Sequence, residues 1–284
     1  MAERLAVVKL RPQVILDWAA RLGGGGLALG SAYAGAAPRP YIRAVEPFCA
    51  GRAAAAADSA AVSGAVSGAV SGADAPWWSV ARWRRARPAP LPPLAPDQVE
   101  PGSAQLVWSN MALHAQQDPA LTIAQWHRCL AVDGFLMFST LGPGSLPELR
   151  SLYDAKAWGP PMAPLVDMHD LGDMLVAAGF ADPVMDQEQV VLTWADADAA
   201  LAELRTLGAN FDPHRHRGLR TPAWRRQLVQ ALQQTAQNRS DARVALTFEV
   251  AYGHAFRPPA RARVAPEARV DLADFRAMTR EPRR

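Results

Sequence analysis

The chain has 284 residues, half of them apolar, enough to bury a full core in one large domain or two small ones. Its formal charge of +3 is concentrated at one end: residues 257–284 carry eight Arg against four acids, so the body is about neutral and lacks the basic face of a nucleic-acid binder. Cys49 and Cys129 have neither a metal-ligand spacing nor a partner framework, and no run of about 18 apolar residues occurs, so a cytoplasmic monomer that is neither secreted nor membrane-spanning is expected.

In chain order, the first element is Gln13 to Asp17, a short β-branched run ending in an acid. A glycine tract, Gly23 to Gly26, and small residues up to Ala34 follow, which predicts strand, glycine turn and helix. Tyr41 to Val45 predicts a second strand, ended by Glu46 and Pro47. The opening therefore reads as a βαβ unit of a Rossmann-like nucleotide-binding sheet, with a carboxylate at the end of each strand.

Three AVSG repeats between Ala61 and Gly72 and a Pro-rich run from Arg87 to Pro101 mark residues 58–101 as an insertion, with a period too short for a solenoid. Trp77, Trp78 and Trp83 interleave there with Arg82, Arg84, Arg85 and Arg87. Packed Trp beneath solvated Arg is the favoured reading over a cation and aromatic platform for an acidic partner.

Order resumes with a strand at Gln105 to Trp108, followed by Ser109, Asn110 and His114, and then a helix from Pro119 to Leu130. Gly134 to Thr140 is a continuous apolar run, as in a central strand buried on both faces. The loop Leu141-Gly142-Pro-Gly144-Ser145 leads into a helix through Tyr153, and an amphipathic helix lies within Leu165 to Phe180, closed by Gly179. Val184 to Trp194 and Val244 to Phe256 predict an antiparallel pair on either side of a helical region, Ala197 to Gln237. His114 and His169 read as packed or hydrogen-bonding side chains and not as bases, and His214-Arg-His216 has no third metal ligand. The domain thus runs over 13–256, with a lead of 1–12 and an Arg-rich tail of 257–284 in which Asp271 to Met278 would dock as a short helix.

Four long strings carry a resemblance: Leu106 to His114 (LVWSNMALH), Asp133 to Arg150, Val166 to Glu188, and Ala245 to Phe256. They resemble the BioC-like malonyl-acyl-carrier-protein O-methyltransferases of biotin synthesis, which are class I S-adenosylmethionine (SAM) methyltransferases. The likeness is strong over the C-terminal half and general over the N-terminal half. It implies a mostly parallel seven-stranded sheet with an antiparallel C-terminal pair, SAM as cofactor, and methyl transfer to the free carboxylate of a malonyl thioester on an acyl-carrier protein, or to a small carboxylate.

The same resemblance assigns cofactor contacts to Asp17, Gly23, Gly24 and Ser109 and Asn110, and the ribose hydroxyls to Glu46. His114 and the Gly142 to Gly144 loop would border the acceptor. No catalytic base is expected, because the acceptor carboxylate is already ionised at neutral pH and the sulfonium leaving group departs neutral. The family's loop of Asp and three alternate glycines reads Asp17, Ala19, Arg21 and Gly23 here, with only the third glycine kept. A methyltransferase-fold interaction protein without SAM is therefore the alternative. An NAD-linked oxidoreductase also fits the first unit, but not the late β-rich pair.

Overall fold

A continuous apolar run puts apolar side chains on both faces of a strand, and the centre of this sheet is built that way. The computed structural model describes residues 1–47, 92–207, 210, 212–237 and 239–259. The AVSG repeats, the Trp and Arg cluster and residues 260–284 of the tail lie outside the described residues.

The strands are β1 (Val14–Trp18), β2 (Tyr41–Val45), β3 (Ala104–Ser109), β4 (Leu130–Leu141), β5 (Ala181–Trp194) and β6 (Val244–Phe256). They form one sheet in the order β2-β1-β3-β4-β6-β5. The first four are mutually parallel, and β6 runs antiparallel to β4 and β5. Six of the expected seven strands are found among the described residues. Beyond β2, the described residues add an isolated parallel bridge from Leu94 to Val45. Pro92, Pro93 and Pro96 around it lack the N–H groups that a longer ladder would need.

The helices are α1 (Ala20–Gly23), α2 (Gly25–Ala32), α3 (Pro119–Cys129), α4 (Pro147–Ala155), α5 (Met168–Ala177), α6 (Ala197–Leu204) and α7 (Pro222–Gln237). On one face of the sheet, Ile15, Leu106, Trp108, Phe135 and Met137 pack with Leu29 of α2 and with Leu5 of a 3-10 turn, Ala2–Val7. The predicted lead thus folds onto the sheet, and its Arg4 pairs with Asp186 of β5 at 2.5 Å and lies 4.4 Å from the Tyr252 ring centroid. The opposite face takes Ile123 and Trp126 of α3 and Leu171 and Leu175 of α5. Trp126 sits edge-on to Trp18 at 6.3 Å and tilted against Phe138 at 5.5 Å, in contact with two strands at once.

Local chemistry sets the helix ends. Asp118 accepts from the Leu121 N–H at 2.9 Å with Pro119 in the first turn, and Asp167 and Asp196 cap α5 and α6 in the same way. Gly179 ends α5 with a φ of 98°, as its position after the amphipathic run predicts. Helices α4, α6 and α7 form a third layer with Leu141, Val244 and Leu246, a second core at the carboxyl end of β4. Among the described residues, no helix is long and apolar enough to cross a membrane.

Candidate functional site

The site is assembled where β1, β2 and β3 end. Asp17, one residue before the end of β1, is 3 % exposed, and its Oδ1 has no hydrogen-bond partner among the described residues. Burial, and then the nearby Glu46 charge, push its carboxyl up to about 6. Glu46 is equally buried at the end of β2, and its Oε1 accepts from the Arg21 N–H at 2.9 Å. It satisfies an amide in the first turn of α1 that no helical carbonyl can reach.

The chain leaves β1 through Ala19, at φ 56° and ψ 46° and fully buried, where the family loop has its first glycine. The Ala19 N–H donates to the Val45 carbonyl at 2.7 Å, and its own carbonyl accepts from Leu22 and Gly23 at 2.9 Å each. The left-handed course that a glycine allows is therefore adopted by an alanine, at a cost of about 1–2 kcal/mol. Arg21 takes an ordinary helical position with an exposed side chain. Through these two positions the chain turns at Ala19 and runs as helix from Ala20 to Gly23.

Gly23 lies against Asn110, where any Cβ would run into the Asn110 carbonyl oxygen. The Asn110 Nδ2 donates to the Gly23 carbonyl at 2.7 Å, and its Oδ1 accepts from Ser139 Oγ at 2.8 Å. Asn110 thus ties the glycine tract to β4. Ser139 also receives the Met111 N–H, on its carbonyl at 3.0 Å and on its hydroxyl at 3.1 Å. Gly24 joins α1 to α2 at φ 60°. Ser109 is fully buried, with its Oγ unpartnered among the described residues.

The acceptor side is more dispersed. Gly142 and Gly144, expected to wall the acceptor pocket, instead wrap Glu249 of β6. The Gly142 N–H donates to the Glu249 carbonyl at 2.9 Å and the Gly144 N–H to its Oε1 at 3.1 Å, and a side chain at either glycine would collide with that carboxylate. It is their neighbours Leu141 and Leu146 that reach the hollows. His114 stands where two hollows meet, one of about 630 Å³ and one of about 380 Å³, which share His114, Ala115, Ala163 and Leu165. Its Nδ1 is buried with no partner among the described residues, and burial holds the imidazole below the ordinary histidine range. His169 is exposed and pairs with Asp167, away from these walls. Asp97 is exposed in the 3-10 turn Pro96–Gln98, and Asp58 and Asp74 lie outside the described residues.

An aromatic group borders the smaller hollow, which Tyr153 and Trp224 line. Tyr153 and Trp158 meet edge-on at 5.4 Å, and Trp224 contacts Trp158 at 5.4 Å and Tyr153 at 6.2 Å. These residues come from α4, the loop after it and α7, so no local spacing joins them.

No protein-family profile matches the chain. A malonyl-[acyl-carrier protein] O-methyltransferase of Laribacter hongkongensis is 43 % identical over 176 residues, 61 % of this chain and 58 % of that protein. The protein of the same name from Gallionella capsiferriformans is 35 % identical over 266 residues, 92 % of this chain and 82 % of its own length. The chain belongs to the malonyl-[acyl-carrier protein] O-methyltransferase family. Its fold is also that of the solved YcgJ protein of Bacillus subtilis, with a TM-score of 0.51 at 11 % identity over 91 % of this chain and 97 % of that one.

Within this family's pattern, the residues present suit SAM. Two buried carboxylates, Asp17 and Glu46, close the ends of adjacent strands, and a carboxylate matches both a vicinal diol and a cationic ligand. The unpartnered Asp17 Oδ1 and Ser109 Oγ lie on the adjacent strands β1 and β3.

Proposed function

We propose that this chain transfers a methyl group from SAM to the free carboxylate of a malonyl thioester carried by an acyl-carrier protein, in biotin biosynthesis. The observation that carries the reading is the loop after β1: Ala19 holds the left-handed turn of the lost glycine, and Asp17 and Glu46 are kept buried together beside it. A chain released from cofactor binding has no reason to keep a strained, fully buried alanine and a destabilised carboxylate in that place.

When bound, SAM supplies an electrophilic methyl carbon on a sulfonium. Glu46 would hold the ribose hydroxyls, and Asp17 the cationic end. Asn110 would keep the loop in register through Gly23 and Ser139. The acceptor needs no base, so the protein contributes orientation and exclusion of water, for which the apolar walls built from Leu146, Leu149, Met162 and Leu228 are suited. The domain under this proposal is 13–256 with its lead and insertion, and the protein acts as a cytoplasmic monomer.

The test is complementation of a biotin auxotroph lacking this methyltransferase, with Glu46→Ala as control and calorimetric titration of SAM beside it. Growth that requires Glu46 is expected. SAM binding without growth would redirect the acceptor, and a folded protein that binds no SAM would overturn the reading.

A further inference from the structure

The two hollows that meet at His114 differ in charge. The larger is walled by apolar and neutral polar side chains together with His114. The smaller carries Arg205, Arg220 and Arg225 and, among the described residues, no Asp or Glu on its wall. Arg225 is matched by Asp198 at 2.5 Å. Arg220 makes no ion pair with any described residue.

Arg220 is also held in a defined orientation. One Nη2–H donates to the Trp158 carbonyl at 2.6 Å, and the guanidinium carbon lies 4.6 Å from the Trp224 ring centroid. The Tyr153, Trp158 and Trp224 contacts fix that ring in turn. A planar fork stacked on an indole, half-buried and lacking a counter-charge, costs free energy unless an anion completes it, and a carboxylate is the anion its geometry matches. Trp224 Nε1 and His114 Nδ1, on the same wall, are also buried and have no partner among the described residues.

We infer that Arg220 anchors the free carboxylate of the acyl chain and so makes the site selective for an ω-carboxyl thioester over a neutral acyl group. The assignment rests on the proposed methyl transfer for the identity of the acyl chain, and on the geometry for the choice of residue. Arg220 is a binding and positioning residue. The methyl ester product, with no negative charge, loses this contact and is free to leave.

The experiment measures binding of malonyl-pantetheine and of its monomethyl ester to the full chain by calorimetry, for wild type, Arg220→Leu, Arg220→Lys and the exposed control Arg226→Leu. Loss of a charge-assisted anchor lowers affinity for the free acid by about 10- to 100-fold in Arg220→Leu. Affinity for the methyl ester and for SAM stays at the wild-type value, as does everything in Arg226→Leu. Arg220→Lys, which keeps the charge and loses the fork, falls between, and it decides the matter if the leucine variant does not fold.

Equal losses for acid and ester would reduce Arg220 to a support of the Trp158 loop and overturn the assignment. So would unchanged binding of the acid in Arg220→Leu, or no acid binding by wild type. The outcomes also separate the two proposals. Arg220-dependent acid binding without methyl transfer removes the function and leaves the anchor. Transfer with an unchanged KM in Arg220→Leu does the reverse.

Discussion

Asp17→Asn tests the electrostatics of the site on a stability scale. In the unfolded chain Asp17 ionises near 3.8, whereas burial and Glu46 push it up to about 6 in the folded protein. Between those values the folded state holds the proton more tightly, so stability falls as pH rises through this window and levels off above pH 6. A shift of about two pH units corresponds to about 3 kcal/mol, an upper bound once the new amide's own unmet hydrogen bonds are counted. The neutral, isosteric Asn escapes the penalty. In urea titrations from pH 3.5 to 8, variant and wild type should coincide at the acid end, and the variant should be the more stable by about 1–3 kcal/mol above pH 6. The gain should come with weakened SAM binding, as expected where a destabilised group is kept for function. A gap that does not change with pH, or a wild type that is the more stable at pH 7, would refute the account of Asp17.

Four further substitutions probe the framework around the site and its helices. Ala19→Gly relieves about 1–2 kcal/mol of left-handed strain but gives back about 0.5–1 in chain entropy and about 0.8 for a buried methyl, so thermal melting should barely move. Ala19→Val, β-branched at positive φ in a closed position, should destabilise by more than about 2 kcal/mol in the same melts. Gly142→Ala should cost about 1–3 kcal/mol through the collision with Glu249, and a urea double-mutant cycle with Glu249→Ala should recover most of it. Asp118→Ala should lower stability by about 1 kcal/mol through loss of the α3 cap and leave SAM binding untouched in calorimetry.

Much of the fold was legible because its signals are local. A β-branched run ending in an acid marked β1 to within one residue, and the strands around Tyr41 and Val244 kept their predicted bounds. β4 begins earlier than its apolar run suggested, since Leu130 already pairs with Ala104 across a register shift at the start of the ladder. The same local logic could not foresee the packing of Gly142 and Gly144 against Glu249. Their small size fits equally a pocket wall and a close approach, and only the position of Glu249 more than a hundred residues later distinguishes the two.

By itself, then, the sequence determined the order of the elements, the two carboxylates at strand ends and the family strings, because periodicity, capping and turn chemistry act over a few residues. Two things waited for the tertiary structure. One is the backbone at Ala19: whether an alanine turns left is settled by the Val45 carbonyl and the Asn110 to Gly23 contact, both distant in sequence. The other is the setting of Arg220, one arginine among many along the chain, which becomes distinctive only where α4, the following loop and α7 bring Tyr153, Trp158 and Trp224 around it without an acid. Packing between remote elements decides which charge goes unmatched, and no local pattern encodes that.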